Sequence, residues 1–237
     1  MRIAIAGNGR MGQVIARLAR ERGIEVAGMV GPGDASTIEE MGKVDAVVDF
    51  SYPGNLQMVL DAGNKGAKLI IGTTGYSEEQ VEAIRQASEK TAVVFTGNFS
   101  TGITVLKRVV KECAQVLSDF DIEIVEKHHR MKEDAPSGTA KMLLEAVDPD
   151  GQHPVVHGRN GRPGARGHEI GMHALRGGTA AGEHSVYFLG DKEQIEIKHT
   201  AEDREIFARG ALRALCFAEN AQPGLYNMED VLFGGIK

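Results

Sequence analysis

The feature that most constrains this fold is a glycine motif placed between an apolar strand and a helical repeat. Residues 2–6 (RIAIA) form a short apolar run, and apolar residues recur at helical spacing over residues 11–18. The segment between them reads G-x-G-x-x-G: its first glycine permits a tight turn, the second lets the backbone approach a pyrophosphate, and the third allows close helix packing. We therefore predict a dinucleotide-binding βαβ unit whose phosphate contacts come from Gly7-Asn8-Gly9-Arg10-Met11-Gly12.

The rest of the first hundred residues alternates between strand and helix patterns. Apolar runs at residues 24–30, 44–50, 68–73 and 91–96 predict four more strands, and a capping-box sequence at residues 77–80 marks a helix start. Strands that alternate with helices indicate parallel βαβ units, and nearly continuous apolar strands fit a sheet buried on both faces. The predicted fold class is α/β, with an N-terminal Rossmann dinucleotide-binding domain.

Small and hydroxyl-bearing residues follow two of these strands. In a doubly wound sheet the ligand lies outside the carboxyl ends of the strands, where small residues permit close approach and hydroxyl groups offer hydrogen bonds. Taken singly, each of these ends is equally well explained as an ordinary turn. Together with the glycine motif they predict further cofactor-binding residues, namely Gly72, Thr73, Thr74, Thr96, Gly97, Asn98 and Phe99.

The choice between NADH and NADPH stays open. A site that prefers NAD often carries an acidic residue about 20 positions beyond the glycines. Here Asp34 is the candidate, although a glycine–proline turn at residues 31–33 intervenes, and no arginine or lysine stands there to pair with a 2′-phosphate.

The pattern changes after about residue 100. A long helix is predicted over residues 101–117, followed by alternating strands at 121–126, 169–175, 185–189 and 194–198. Alternation indicates a sheet with one packed face and one free face. We expect a C-terminal α+β domain with an open sheet whose free side packs against another subunit.

Two adjacent histidines and a nearby lysine form the candidate catalytic stretch. His128 and His129 are followed by Lys132, in a segment with few apolar residues. Histidine exchanges a proton near neutral pH, and lysine holds a carboxylate or gives up a proton when its pKa is lowered. The alternatives are a metal site, disfavoured because no carboxylate or cysteine stands at ligand spacing, and a basic surface cluster without function.

A helix start follows directly. Ser137 is the expected N-cap, and the first backbone N–H groups of the helix, at Gly138 and Thr139, would suit an anion, either a carboxylate or a phosphate. The alternative is a purely structural cap, against which the glycine argues because it weakens a helix while opening access to the backbone.

Composition restricts the function classes. A net charge of −6 over 237 residues disfavours nucleic acid and anionic membranes as partners. Cys113 and Cys216 fit free thiols in a reducing cytosol, and no apolar run approaches a membrane span. Because a strand pattern begins at Arg2, we expect no signal peptide and a cytoplasmic protein.

The arginine-rich loop at 151–168 is either functional or a flexible surface loop. RNA binding by this loop is disfavoured because the loop is internal and the chain is acidic.

On these motifs the chain resembles the dihydrodipicolinate reductase family over essentially its whole length. The resemblance is carried by the glycine motif, Asp49-Phe50-Ser51, Gly72-Thr73-Thr74-Gly75, Asn98-Phe99-Ser100, residues 126–140 (EKHHRMKEDAPSGTA), Gly182-Glu183-His184 and residues 224–231. The segment 126–140 is highly specific to that family.

The resemblance implies reduction of 4-hydroxy-tetrahydrodipicolinate or dihydrodipicolinate by NADH or NADPH, in lysine and diaminopimelate biosynthesis. It implies His128 as proton donor or acceptor and Lys132 as proton donor, with His129, Ser137, Gly138 and Thr139 binding a small dicarboxylate substrate. It further implies a dinucleotide-binding domain at 1–101 and 206–237, a substrate and oligomerisation domain with an open mixed sheet at 102–205, and a homotetramer formed through that sheet. The rival interpretations are another Rossmann reductase of amino or hydroxy acids and a non-catalytic dinucleotide sensor.

Overall fold

The computed structural model describes residues 1–31, 34 and 37–234. Residues 32 and 33 of the expected glycine–proline turn lie outside the described part of the chain. The chain forms two compact units, one of Met1–Thr101 together with the segment from Glu205 onward, and one of Gly102–Arg204. Each unit has its own sheet and its own buried apolar side chains, which form two clusters in the first unit and one in the second.

The first unit contains a six-stranded parallel sheet in the order β11-β5-β4-β3-β1-β2. Its strands are β1 (Arg2–Ala6), β2 (Glu25–Val30), β3 (Ala46–Asp49), β4 (Lys68–Ile71), β5 (Ala92–Phe95) and β11 (Gly224–Tyr226). Its helices are α1 (Arg10–Glu21), α2 (Leu56–Asn64), α3 (Glu78–Ser88), α6 (Glu205–Asn220) and α7 (Met228–Phe233), with 3₁₀ turns at Glu39–Met41 and Pro53–Asn55.

Alternate residues of the central strands pack into separate apolar clusters on the two sheet faces. On β1, Ile3 and Ile5 join the cluster with α1 and α6, whereas Ala4 and Ala6 join the cluster with α2 and α3. This double burial explains the nearly continuous apolar runs in the sequence. The strand order reverses between β1 and β3, so the crevice that binds ligands in such sheets lies at the ends of these two strands.

The C-terminal tail contributes more regular structure than its sequence indicates. Residues 224–231 read only as a short tail, yet Gly224–Tyr226 pairs in parallel with β5 and a capped helix begins at Met228. A three-residue strand is too short to show a two-residue period, and its place at the sheet edge comes from tertiary pairing.

The second unit contains a five-stranded mixed sheet in the order β10-β9-β6-β8-β7. Its strands are β6 (Asp121–His128), β7 (Val155–Val156), β8 (Ile170–Arg176), β9 (Gly182–Gly190) and β10 (Glu193–Ala201). The helices α4 (Thr101–Val116) and α5 (Gly138–Val147) pack their apolar sides with the inward residues of β6, β8 and β9. Alternation along β6 places Ile124, Glu126 and His128 on this inner side, where all three are buried.

The outer face of the second sheet carries paired polar side chains. Glu183 of β9 forms ion pairs with Lys127 and Lys198. Glu196 of β10 accepts hydrogen bonds from the Ser185 and Tyr187 hydroxyl groups. The predicted open mixed sheet is therefore present, with an apolar inner face and a polar outer face.

The arginine-rich loop is tied to the edge of this sheet. Arg159 pairs with Glu123 and Glu169, and Arg166 pairs with Glu123 and with Asp121. Val155–Val156 forms a short strand beside β8, which the sequence pattern did not indicate. Two of the three arginines thus hold the loop on its own unit through carboxylates.

None of the helices in the described ranges combines the length and the apolar character needed to cross a bilayer. Cys113 is half-buried and Cys216 is exposed, and both are free thiols.

Candidate active site

The glycine motif forms the tight turn from β1 into α1. Gly7 has φ +108°, a conformation that favours glycine, and a Cβ there would lie 2.4 Å from the Phe50 carbonyl oxygen. A Cβ at Gly12 would lie 1.8 Å from the Gly7 carbonyl oxygen, so only glycine lets the helix pack on the turn. A Cβ at Gly9 would meet no atom of the described residues within 4 Å. Gly9 therefore leaves open space beside the backbone at the helix start.

The start of α1 fits a pyrophosphate. Gly9 is its N-cap and supplies no side-chain hydrogen bond, and the first turn contains no acidic residue. The first N–H groups of a helix lack intrahelical partners and lie at the positive end of its dipole. Open space, donors and the absence of negative charge together match the phosphates of a dinucleotide.

The other predicted cofactor residues lie in the loops after β4 and β5, at the same edge of the sheet. Thr73 accepts a hydrogen bond at Oγ1 from the Ser51 N–H at 2.8 Å, which joins the loops that follow β3 and β4. A Cβ at Gly97 would touch the Thr74 methyl group at 3.6 Å, so Gly97 lies beside Thr74. Gly72 packs against the Phe50 ring, and Thr96 accepts a hydrogen bond from the Asn98 N–H. The Phe99 ring contacts the Phe50 ring in a tilted arrangement, with centroids 5.3 Å apart.

Asp34 lies next to the glycine motif Gly7–Gly12, although residues 31–33 separate it from the end of β2. Its Oδ2 accepts hydrogen bonds from the Gly31 N–H at 2.6 Å and from the Asn8 amide at 3.3 Å. The first unit thus brings the predicted acidic residue to the end of β2, beside the motif.

Two glycine variants separate cofactor binding from folding. We expect Gly9→Ala to keep the native fold and to weaken NADH and NADPH binding by about tenfold, because its methyl group occupies the space beside the helix start. We expect Gly12→Ala to destabilise the protein by about 1–3 kcal/mol or more, because its methyl group overlaps the Gly7 carbonyl. Fluorescence titration and urea unfolding measure the two effects. Equal cofactor affinity in Gly9→Ala and the native protein contradicts the first expectation.

In the second unit, a buried carboxylate holds the candidate catalytic histidine. Glu126 is fully buried, and its Oε2 lies 2.5 Å from His128 Nδ1. Because an ionised carboxylate only accepts hydrogen bonds, the proton of a neutral His128 ring lies on Nδ1 and Nε2 is an acceptor. A Cβ at residue 182 would lie 2.9 Å from Nε2, so Gly182 leaves room beside this nitrogen.

Arg176 of β8 completes the surroundings of Glu126. Its Nη1 and Nη2 each donate to a different Glu126 oxygen at 2.7 Å. Burial alone raises the pKa of the Glu126 carboxyl, but hydrogen bonds from Arg176, His128 and the Ser137 N–H outweigh burial and lower it. Glu126 is therefore ionised at neutral pH.

The charge state of His128 follows from its burial. Burial lowers the pKa of His128; Glu126 opposes this, and the positive charges of Lys132 and Arg176 add to the lowering. The ring is therefore neutral at physiological pH and carries an unprotonated Nε2.

Ser137 caps α5 as predicted and connects it to this cluster. Its Oγ accepts a hydrogen bond from the Ala140 N–H at 3.2 Å and lies 3.1 Å from His184 Nε2. Its N–H donates to Glu126 Oε1 at 3.1 Å. Among the residues with described positions, none would lie within 4 Å of a Cβ at Gly138, so space remains beside the first residue of the helix, which Thr139 follows.

Lys132 and His129 lie on the segment that follows β6. Lys132 donates to Asp134 Oδ1 at 2.7 Å, and its charge acts on His128. His129 Nε2 lies 3.3 Å from an Arg204 nitrogen, while its buried Nδ1 has no hydrogen-bond partner within the described part of the chain. Within the described residues, no three His, Cys, Asp or Glu side chains are grouped to hold a metal ion.

Three members of the cluster had no role assigned from the sequence. These are Glu126, Arg176 and His184, which are separated from their partners by as many as 50 residues. One signal for Glu126 was present, because a charged residue stood in the inward alternation of β6 between two positions that are themselves buried.

Comparison with known proteins follows the division into two units. Residues 1–99 match the family model described as dihydrodipicolinate reductase, N-terminus, and residues 102–232 match the corresponding C-terminus model. A 4-hydroxy-tetrahydrodipicolinate reductase of Caldanaerobacter subterraneus subsp. tengcongensis is 44% identical over 250 residues, covering 99% of each chain. One of Brachyspira hyodysenteriae is 40% identical over 236 residues, covering 98% of this chain and 100% of the relative.

A solved structure supports the fold. The dipicolinate-bound dihydrodipicolinate reductase from Paenisporosarcina sp. TG-14 superposes with a TM-score of 0.73 at 22% identity. The alignment covers 96% of this chain and 97% of that one. At this identity the likeness establishes the shared architecture.

Proposed function

The chain belongs to the dihydrodipicolinate reductase family, and from this premise we propose how its residues divide the reaction. The reaction is the reduction of 4-hydroxy-tetrahydrodipicolinate to tetrahydrodipicolinate with release of water, in lysine and diaminopimelate biosynthesis. The reductant is NADH or NADPH, and its nicotinamide supplies a hydride when bound. The substrate is a small dicarboxylate.

We assign the cofactor to the first unit, residues 1–101 and 206–237. The motif Gly7–Gly12 would hold the pyrophosphate, and Asp34 would hold the adenosine ribose. The residues after β4 and β5, Gly72–Thr74 and Thr96–Phe99, would hold the nicotinamide end. The support is the open space at Gly9 and the uncapped start of α1.

We assign the substrate to the second unit, residues 102–205. One carboxylate would bind at the start of α5, at Gly138 and Thr139, beside Ser137. His129 would contribute a further hydrogen bond, because its buried Nδ1 lacks a partner among the residues that the structure describes. The positive end of the helix dipole favours the negative ligand.

We assign the proton to Lys132. Hydride addition builds negative charge on the conjugated ring of the substrate, which a general acid must neutralise. His128 has committed its only ring proton to Glu126, so its Nε2 accepts rather than donates a proton. Lys132 carries an ammonium beside it and is the donor of the proton that accompanies hydride addition. His128 Nε2 would take up the ring C–H proton that is lost as water leaves and would pass it to the departing hydroxyl group. The buried Glu126–His128 pair beside Lys132 is the observation that carries this proposal.

One assay tests the function. We expect absorbance at the nicotinamide band to fall when the protein meets the product of dihydrodipicolinate synthase, with NADH and NADPH each supplied in turn. The ratio of the two values of kcat/KM gives the cofactor preference. Cofactor binding without oxidation would instead identify a dinucleotide sensor, and oxidation only with another amino or hydroxy acid would identify a different reductase.

We propose a homotetramer that assembles through the outer face of the second sheet, in the cytoplasm. The support for the interface is an open face of ordered polar pairs around Glu183 and Glu196. A face with its side chains already held in pairs loses little conformational freedom when another subunit covers it.

A further inference from the structure

A single buried carboxylate joins both halves of the proposed substrate site. Glu126 receives hydrogen bonds from His128, from the Ser137 N–H and from both terminal nitrogens of Arg176. His128 belongs to the proton-transfer half and Ser137 to the anion-binding half. The rotamer of Glu126 therefore sets the position of the histidine ring relative to the start of α5.

Arg176 reaches the segment that carries Lys132 as well. Its Nη2 also donates to the Asp134 carbonyl at 2.6 Å, and the Asp134 carboxylate accepts the hydrogen bond from Lys132 at 2.7 Å. Its Nη1 is anchored to the Leu175 carbonyl of its own strand at 2.7 Å. The Arg176 guanidinium thus contacts both the side-chain carboxylate of Glu126 and the backbone carbonyl of Asp134.

We propose that Arg176 is a positioning residue for the reaction. Its planar guanidinium, with two terminal nitrogens, holds His128, the start of α5 and the Lys132 segment in one arrangement. The proposal rests on the proposed function, since it assigns a purpose to contacts around its reacting groups. Arg176 lies on β8, behind Glu126, and acts through that carboxylate on the residues that meet the substrate.

The geometry requires an arginine. The planar guanidinium presents parallel donors that match the two oxygens of a carboxylate, whereas a lysine ammonium is a point charge. A lysine at this position keeps the charge beside Glu126 but cannot reach both of its oxygens and the Asp134 carbonyl together.

Arg176 also influences the charge of His128. The groups that face His128 are Glu126 of its own strand, Arg176 of β8, His184 of β9 and Lys132 of the following segment. The Arg176 charge lowers the pKa of His128 and partly neutralises Glu126. Without it, one of the positive charges that oppose a protonated ring is gone, and the pKa of His128 rises.

The test compares Arg176→Met, Arg176→Lys and a control, Arg209→Lys, which alters an arginine–glutamate pair on α6. Ring ¹⁵N spectra report the tautomer and titration of His128, and kcat and KM are measured as functions of pH. For the native protein we expect one tautomer with the proton on Nδ1. For Arg176→Met we expect a higher titration midpoint, an acid limb of kcat shifted to higher pH and a loss of about 10²-fold in kcat.

The two substitutions at Arg176 are expected to differ. Arg176→Lys should keep the titration midpoint of His128 near the native one, because the positive charge remains. Its kcat should still fall, because a lysine cannot donate to both Glu126 oxygens as the two guanidinium nitrogens do. KM for the cofactor should stay native in all variants. If Arg176→Met does not fold, Arg176→Lys decides the matter by itself.

Native kcat together with a native His128 spectrum in Arg176→Lys or Arg176→Met overturns the proposal. Failure of the proposed function shows separately, as a native protein that does not oxidise the reduced cofactor with this substrate. In that case the ¹⁵N spectra still report whether Arg176 holds the ring.

Discussion

Replacing Lys132 with alanine is expected to lower kcat by about 10²–10⁴-fold, the range typical of a lost general acid. Lys132 is the group in the His128 cluster that carries a proton to donate, since neutral His128 directs its Nδ1–H to Glu126. The residues that we propose for cofactor binding lie in the other unit, so KM for NADH or NADPH should stay near its native value. Stability should change little, because the Asp134 partner of Lys132 is exposed.

Arginine at position 132 separates proton donation from simple attraction. Lys132→Arg keeps a positive charge near the substrate, but the guanidinium does not release a proton at accessible pH. We therefore expect KM for the substrate to recover in Lys132→Arg while kcat stays low. Lys111→Ala, at an exposed position of α4, is the matched control. Native kcat in Lys132→Ala or in Lys132→Arg would exclude Lys132 as the donor.

The fold of the first unit is largely readable from the sequence, because its strands are buried on both faces and its turn depends on glycine. A side chain at Gly7 or Gly12 would overlap backbone atoms, so the turn can form only with glycine at these two positions. The strand β11 was missed because three residues do not reveal a period, and its position comes from pairing with β5.

The candidate site was predictable only where its members are neighbours in the chain. His128, Lys132 and Ser137 fall within ten residues, and their chemistry was visible as a cluster. Arg176 and His184 reach the cluster through the pairing of β8 and β9 with β6. Nothing local in the sequence specifies that pairing, because strand register is set by the packing of the whole inner face.

His184 is expected to make the second unit sensitive to acid. It is 4% exposed, and burial, reinforced by the neighbouring His128, lowers its pKa to about 4. An unfolded histidine has a pKa of about 6.5, so between this pH and pH 4 the unfolded chain binds a proton at His184 and the folded unit does not. The contribution of His184 to the free energy of unfolding is constant well above pH 6.5, falls as pH decreases from 6.5 to 4, and levels off below pH 4. Between pH 7 and pH 5 it amounts to about 2 kcal/mol.

A glutamine at position 184 isolates this contribution from the other titrating groups. Its amide can still bond to Ser137 Oγ, which lies 3.1 Å from His184 Nε2, but it does not titrate. Native-state hydrogen exchange of β9 amides at pH 7 and pH 5 measures the free energy of unfolding of this unit. We expect the native protein to lose about 2 kcal/mol more than His184→Gln, while His157→Gln, at an exposed position, controls for removing a histidine. Equal losses in the native protein and His184→Gln would mean that the folded unit accepts a proton on His184 as readily as the unfolded chain. The Ser137 cap and the Glu126 pair would then have to tolerate a second positive charge beside Arg176, which their close packing opposes.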